Sequence, residues 1–244
     1  MKVMKEFYEV IEKELAASLA QEEVLNQAVE AMSESVAAGG VIHVFGCGHS
    51  QMFAMEVFYR AGGLVPVNAL LIPHLALFPK AKLSTIQERV EGFAGEYLKL
   101  ENVSGDDTMI IVSISGRNAG VIDMALTAKE IGMKVIALTS KAFSDQVSSR
   151  HSSGKNLKDI ADVVIDLKCE LGDACLSMPN VPDKFTGTST ILGMLVMDCI
   201  TARVIELCAE QGYVPPTYVS SNLDRGDAIN AEHIKHYHDL IDCL

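Results

Sequence analysis

An open α/β fold with a doubly wound, five-stranded parallel sheet flanked by helices is what this sequence predicts, on three observations. Five short apolar or β-branched runs recur along the chain: VIHVF (41–45), LVPVNALL (64–71), TMIIVSIS (108–115), KVIALTS (134–140) and VVIDLK (163–168). They are continuous rather than alternating, as strands covered on both faces must be. Helical stretches separate them, and alternation of strand and helix gives a parallel sheet.

The elements follow in order. Apolar positions at Phe7, Ile11, Leu15 and Leu19, then at Val24, Leu25, Ala28, Met32 and Val36, mark two amphipathic helices broken near Ala20-Gln21 and stopped at Gly39-Gly40. After the first strand, helices are expected over 50–61, roughly 85–100 and 119–131. From Thr186 to Gln211 one long helix is apolar nearly all round, so it must be buried in the core or against a second subunit. The tail from Tyr213 is polar and turn-rich, and closes with the amphipathic stretch AEHIKHYHDLI. The expected organisation is a helical leader over 1–40, an α/β domain over 41–212 and a carboxy-terminal extension over 213–244.

Composition limits the partners. The 244 residues carry 32 Asp plus Glu against 20 Lys plus Arg, a formal charge of −12, with 49% hydrophobic residues. Such a chain buries enough apolar surface to order itself, and its acidic surface repels phosphate backbones, so nucleic acid is not an expected partner. No apolar run approaches the ~20 residues that span a bilayer, and the amino terminus lacks the apolar centre of a secretory signal. No membrane partner is expected. Six cysteines form no CxxC pair and several sit in apolar surroundings, which reads as a reduced, cytoplasmic protein with structural thiols.

Two loops carry the chemistry. In VIHVFGCGHSQ a strand runs into Gly46, Cys47, Gly48, His49 and Ser50 and then a helix, a turn whose amides and helix dipole suit an anion. The same arrangement serves a purely structural turn equally well. A dinucleotide fingerprint would need glycine where Gln51 stands, and no GxxxxGK[ST] is present for a nucleoside triphosphate. In IIVSISGRNAG the geometry recurs, with Ser113, Ser115 and Asn118 offering neutral donors around Gly116. These residues are good helix caps as well. Two such loops at the carboxyl ends of parallel strands point to an anionic small molecule in the crevice there. Thr188, Ser189 and Thr190 open the long helix, where one hydroxyl caps it and the others suit a pocket wall.

The GCGHS loop, the SISGRN loop and the helices after them resemble the SIS (sugar isomerase) domain family, whose members bind phosphosugars, over about residues 5–240. Within it, the whole-chain pattern looks like bacterial proteins labelled phosphoheptose or phosphosugar isomerases. The resemblance implies a SIS fold, a homodimer or tetramer, and a site shared between subunits to which the tail contributes. It implies that Gly48, Ser50, Ser113, Ser115, Gly116 and Asn118 hold the sugar phosphate, with donors added by Thr188 or Ser189. Arg117 is the cation that would draw it in.

Aldose–ketose isomerisation needs a base to move a proton between C1 and C2 and an acid to open the ring. Glu88, in STIQERVEGFAGEY, follows the second strand and is the leading base, whereas Glu91 and Glu96 read as the solvated face of that helix. The alternative for Glu88 is a surface carboxylate paired with Arg89 or Lys82. His49, where similar arabinose 5-phosphate isomerases have lysine, and His233, from a tail that relatives deliver across the dimer, are the ring-opening candidates. His43, inside an apolar strand, reads as a core histidine, and His74 and His151 have no motif around them. His233 and His236 share a helical face at i, i+3, but nearby Cys243 and Asp239 lack convincing ligand spacing for zinc. Phosphoheptose isomerases of the family carry a metal-binding histidine and a catalytic glutamate where this chain has Glu56 and Arg60, a departure that argues against a zinc-dependent heptose isomerase. Neither metal nor other cofactor is expected. The expected function is a phosphosugar isomerase; an amino-sugar phosphate isomerase or lyase on the same fold, or a non-catalytic phosphosugar-binding regulator, are its rivals.

Overall fold

The computed structural model describes residues 2–244. Its centre is a parallel sheet of β1 (Ile42–Gly46), β2 (Val67–Leu70), β3 (Thr108–Val112), β4 (Lys134–Thr139) and β5 (Val163–Asp166), in the order β2-β1-β3-β4-β5. Side chains alternate across the strands. Val44, Ile110, Ile136 and Ile165 face one layer, formed by the leader helices α1 (Lys2–Leu19) and α2 (Glu22–Ala37), α3 (Gln51–Val57) and the long α8 (Ser189–Glu210). Phe45, Met109, Ile111 and Ala137 face the other, formed by α5 (Phe93–Leu98) and α6 (Ala119–Ile131). The fold is doubly wound, as the continuous apolar strands predict. No described helix is long and apolar enough to cross a membrane.

Several element boundaries differ from expectation, each for a local reason. The second strand begins at Val67 rather than Leu64 because Pro66 has no N–H for the ladder; Leu64 and Val65 pair instead with Thr217 and Pro216 of the tail. The helix expected over 50–61 ends at Val57, where Phe58 turns extended into the core and Tyr59 takes a left-handed conformation. The helix expected over 85–100 is two, α4 (Ala81–Gln87) and α5, separated at Gly92, whose N–H donates to Asp123 Oδ2 at 2.7 Å.

The largest difference precedes α8. Residues 174–187 form an antiparallel hairpin, β6 (Ala174–Met178) and β7 (Val181–Gly187), so α8 starts at Ser189 and not at Thr186. After α8 the tail runs back beneath the amino ends of β1 and β2. There Val41, Val65, Tyr218, Tyr237 and Ile241 form a separate apolar cluster with α9 (Gly226–Tyr237).

Candidate functional site

The order β2-β1-β3-β4-β5 reverses direction between β1 and β3. The connection after β1 goes to one side through α3 and the one after β3 goes to the other through α6. Ligands of open α/β sheets bind outside the carboxyl ends of the strands at such a switch point. Both anion-type loops stand there side by side, since Gly46 is the ladder partner of Val112.

Each loop is shaped for a backbone approach. Gly48 and Gly116 adopt φ of +60° and +62°, a region that side chains other than glycine rarely enter. At Gly116 a Cβ would also meet Asn156 Oδ1 at 2.9 Å. The Gly116 N–H donates to Ser113 Oγ at 3.1 Å, closing the turn and directing the hydroxyl. Ser50, Ser113, Ser115, Arg117 and Asn118 are half-buried, and His49 is exposed at the lip of its loop. The segment between β2 and α4 lies over the first loop, with Leu77 and Ser84 next to Gly48.

Glu88 joins this group. Its carbonyl accepts the N–H of Gly120 in the first turn of α6 at 2.9 Å, which ties the end of α4 to the SISGRN loop. Its side chain acts on Cys47 of the GCGHS loop and on Asn118 of the other. Burial raises the Glu88 pKa, and the Asn118 amide, Arg89 and Arg150 pull it part of the way back. Cys47 is pushed above the usual thiol range, by burial first and by the neighbouring Glu88 second, so it remains a neutral wall. A carboxylate held above its ordinary pKa between two glycine turns at the strand ends has the character of a general base.

Arg150 belongs here too, and no motif in the sequence marks it. Its N–H donates to the carbonyl of Arg117 at 2.8 Å, and its guanidinium donates to Asn118 Oδ1 at 3.0 Å. The loop carrying it is held from both sides. Arg117 Nε donates to the Ser148 carbonyl at 3.0 Å, His151 Nε2 lies 3.0 Å from Asp123 Oδ1, and Ser152 gives both its N–H and hydroxyl to Glu91. Glu91 is therefore a loop anchor rather than a free solvated charge.

Other sequence candidates are placed elsewhere or already engaged. The N–H groups of Thr188 and Ser189 both donate to Asp173 Oδ1, at 3.2 and 2.9 Å, and the Ser189 hydroxyl donates to Asp173 Oδ2 at 2.6 Å. A carboxylate of the chain itself thus occupies the amino end of α8. His233 packs its ring against Tyr218, 6.4 Å between centroids, in the tail beneath the amino ends of the strands. It is at the opposite end of the sheet from the loops of its own chain. His43 is a buried histidine with partners, as expected, lying 3.4 Å from Asp107 Oδ2 and 3.2 Å from Asn68 Nδ2. Glu56 pairs with Arg60, whose guanidinium also lies 3.6 Å from Asp198. The Glu56 carboxylate is thus already engaged by a cation of the chain itself.

The comparisons with known proteins show the family and agree with the fold. The family model for the SIS domain matches residues 6–140. A UPF0309 protein of Geobacillus kaustophilus is 38% identical over 243 residues, covering 99% of this chain and 97% of its own. One from Halalkalibacterium halodurans is 40% identical over 239 residues, covering 98% and 96%. Among solved structures, a phosphoheptose isomerase from Francisella tularensis superposes with a TM-score of 0.55 at 18% identity, over 83% of this chain and 96% of that one. The phosphoheptose isomerase of Neisseria gonorrhoeae does so with a TM-score of 0.54 at 20% identity, with the same coverage. An Escherichia coli protein solved in complex with a ligand gives 0.53 at 17%, over 85% and 90%.

Proposed function

The chain belongs to the SIS domain family, and from that premise we propose that it is an aldose–ketose isomerase of a sugar phosphate. Glu88 carries the reading: a carboxylate with a raised pKa, tied to the SISGRN loop through Gly120 and neighbouring Cys47 of the GCGHS loop. The phosphate is received by the Ser113 and Ser115 hydroxyls, the amides of the turn at Gly116 and the amino end of α6, without a metal. Ser50 and the backbone at Gly48 hold the sugar from the β1 side. Glu88 then takes the proton from the carbon next to the carbonyl and returns it to the adjacent carbon, passing through an enediol. Such positioned acid–base catalysis supplies on the order of 10²–10⁴ in rate.

His49, exposed at the lip, is the ring-opening group of the chain's own site. His233 serves ring opening only at the site of a second copy, because it lies at the far end of its own sheet. A homodimer whose tails reach each other's sites is the assembly that uses both, in a cytoplasmic setting.

Incubation with hexose, pentose and heptose phosphates in deuterated water tests the proposal. Deuterium at C2 supports the isomerase. Thermal stabilisation without exchange assigns the protein to phosphosugar-binding regulators, and a panel that neither stabilises nor exchanges rejects phosphosugar binding altogether.

A further inference from the structure

Resting on the phosphosugar reading, we infer that the substrate carries a second acidic group, a carboxylate or another phosphate, which Arg89, Arg117 and Arg150 receive. The chain has a formal charge of −12, yet three of its six arginines gather beside the switch point: the Arg150 N–H donates to the Arg117 carbonyl at 2.8 Å, the Arg150 guanidinium donates to Asn118 Oδ1 at 3.0 Å, and Arg89 follows Glu88. Arg60 and Arg203 are in ion pairs with carboxylates; among the described residues, Arg89, Arg117 and Arg150 are in none, nor is Arg225 at the start of α9. Their neighbours are neutral acceptors, the Ser148 carbonyl for Arg117 and Asn118 Oδ1 for Arg150, which leave most of each guanidinium fork free.

The cluster is held in place against its own repulsion. Arg150 is exposed, yet the slight desolvation it has and then the Arg117 and Arg89 charges lower its pKa, while Glu88 opposes that shift. Guanidiniums packed together stay charged, so the repulsion is stored until an anion enters. The loop bearing Arg150 is nonetheless fixed by Asp123 on His151 and Glu91 on Ser152. A structural cation has no need of such an arrangement in a protein with so many carboxylates to pair with.

The substrate's phosphate is not the anion required. It has its own cradle of hydroxyls and amides at Ser113, Ser115 and Gly116. Glu88 does not neutralise three cations, and as the base it must exchange a proton during turnover. The vacant charge complement therefore belongs to a second acidic group at the other end of the sugar, taken as a bidentate carboxylate or as phosphate oxygens.

Two matched ligand pairs test this by calorimetric titration: glucitol 6-phosphate against 6-phosphogluconate, which differ by one carboxylate, and fructose 6-phosphate against fructose 1,6-bisphosphate. The acid-bearing member of at least one pair is expected to bind about 10- to 100-fold tighter, the range of charge-assisted hydrogen bonds. Which pair responds identifies the acid. Arg150→Gln is expected to shrink that ratio to about threefold or less, with Arg117→Gln as an independent second variant. Ser115→Ala is expected to weaken all four ligands and keep the ratio. Equal affinities within both pairs, or a ratio unmoved by both arginine variants, overturns the second-acid inference while leaving phosphosugar binding intact. No binding by any of the four, or binding indifferent to Ser115→Ala, overturns the phosphosugar reading and this inference with it.

Discussion

Glutamine in place of Glu88 keeps the side chain's size and its reach to Asn118 but removes the proton acceptor. Glu88→Gln is therefore expected to bind phosphosugar normally while C2 exchange falls by about 10²–10⁴, the usual worth of a positioned base. Exchange at the wild-type rate would remove Glu88 from the mechanism. Because burial raises its pKa, the carboxylate becomes competent only above the usual carboxylate range, and the acid limb of kcat/KM lies correspondingly high. Arg150→Gln removes a cation that favours the ionised form, so the limb moves to still higher pH. A limb that stays in place or moves down contradicts the coupling. Folding does not suffer in Glu88→Gln. An acid with a raised folded pKa costs stability when ionised, so at neutral pH the variant keeps or gains Tm.

At this scale the sequence was legible where a motif fixed the backbone. One strand-end pattern singles out Ser113, Ser115, Gly116 and Asn118, and Glu88 follows the second strand; the structure brings Glu88 to Asn118 and to Gly120. No motif marks Arg150, because its position depends on hydrogen bonds that its loop gives, through His151 and Ser152, to Asp123 and Glu91, about thirty and sixty residues away in sequence. Thr188 and Ser189 show the converse. Their hydroxyl-rich pattern suits a pocket, but Asp173 already takes both N–H groups and the Ser189 hydroxyl, and the Thr188 hydroxyl is buried.

Among the elements, α8 offers the sharpest tests. Its first turn is capped by Asp173 from outside the helix, a contact that no N-cap rule applied to Thr188 would reveal. Asp173→Ala is expected to cost about 0.5–2 kcal/mol, as loss of an N-terminal cap does. An unchanged Tm would show that water replaces the carboxylate without loss. Further along, Gly193 lets α8 cross α3 closely, for a Cβ there would lie 2.0 Å from Phe53 Cε1. Alanine gains about 1 kcal/mol in helix propensity. Phe53 is only 1% exposed and has nowhere to retreat, and overpacking typically costs about 1–3 kcal/mol. The clash wins, so Gly193→Ala lowers Tm, and a compensating Phe53→Leu recovers part of it.

The hairpin before α8 was missed because its strands are largely exposed and lack an apolar run. The Pro179-Asn180 turn between Met178 and Val181 was the available signal. The five core strands were legible because both faces are covered, which forces continuous apolar sequence.

For the whole molecule, the charge of −12 and the placement of a few carboxylates set the pH dependence of stability. Asp107, Asp162 and Asp166 tack the ends of β3 and β5. Burial alone would raise each, yet hydrogen bonds hold all three below the usual range: from His43 and the Val41 and Ser104 N–H groups to Asp107, from Lys129 and the Val135 N–H to Asp162, and from Lys168 and the Lys141 N–H to Asp166. Depressed carboxylates contribute stability that is complete above their unfolded pKa, near 4, and is lost as pH falls through the folded value. Glu14, Glu88, Glu101 and Asp123 are raised, by burial first in each case, so their charged forms weaken the fold until they protonate. Lowering the pH from neutrality relieves those four and reduces the net negative repulsion before the tacks begin to fail. Tm is therefore expected to rise slightly from pH 8 to a maximum at roughly pH 5–6 and then to drop steeply below about 4. Added salt raises Tm at pH 8 more than at pH 5, since screening matters most where repulsion is greatest. Asp107→Asn lowers the neutral plateau and flattens the acid limb, because its share of the loss has already been taken. A thermal scan from pH 3 to 8 decides the matter. A Tm that climbs steadily through pH 8 would mean that the raised carboxylates, Glu88 among them, are not strained in the folded protein.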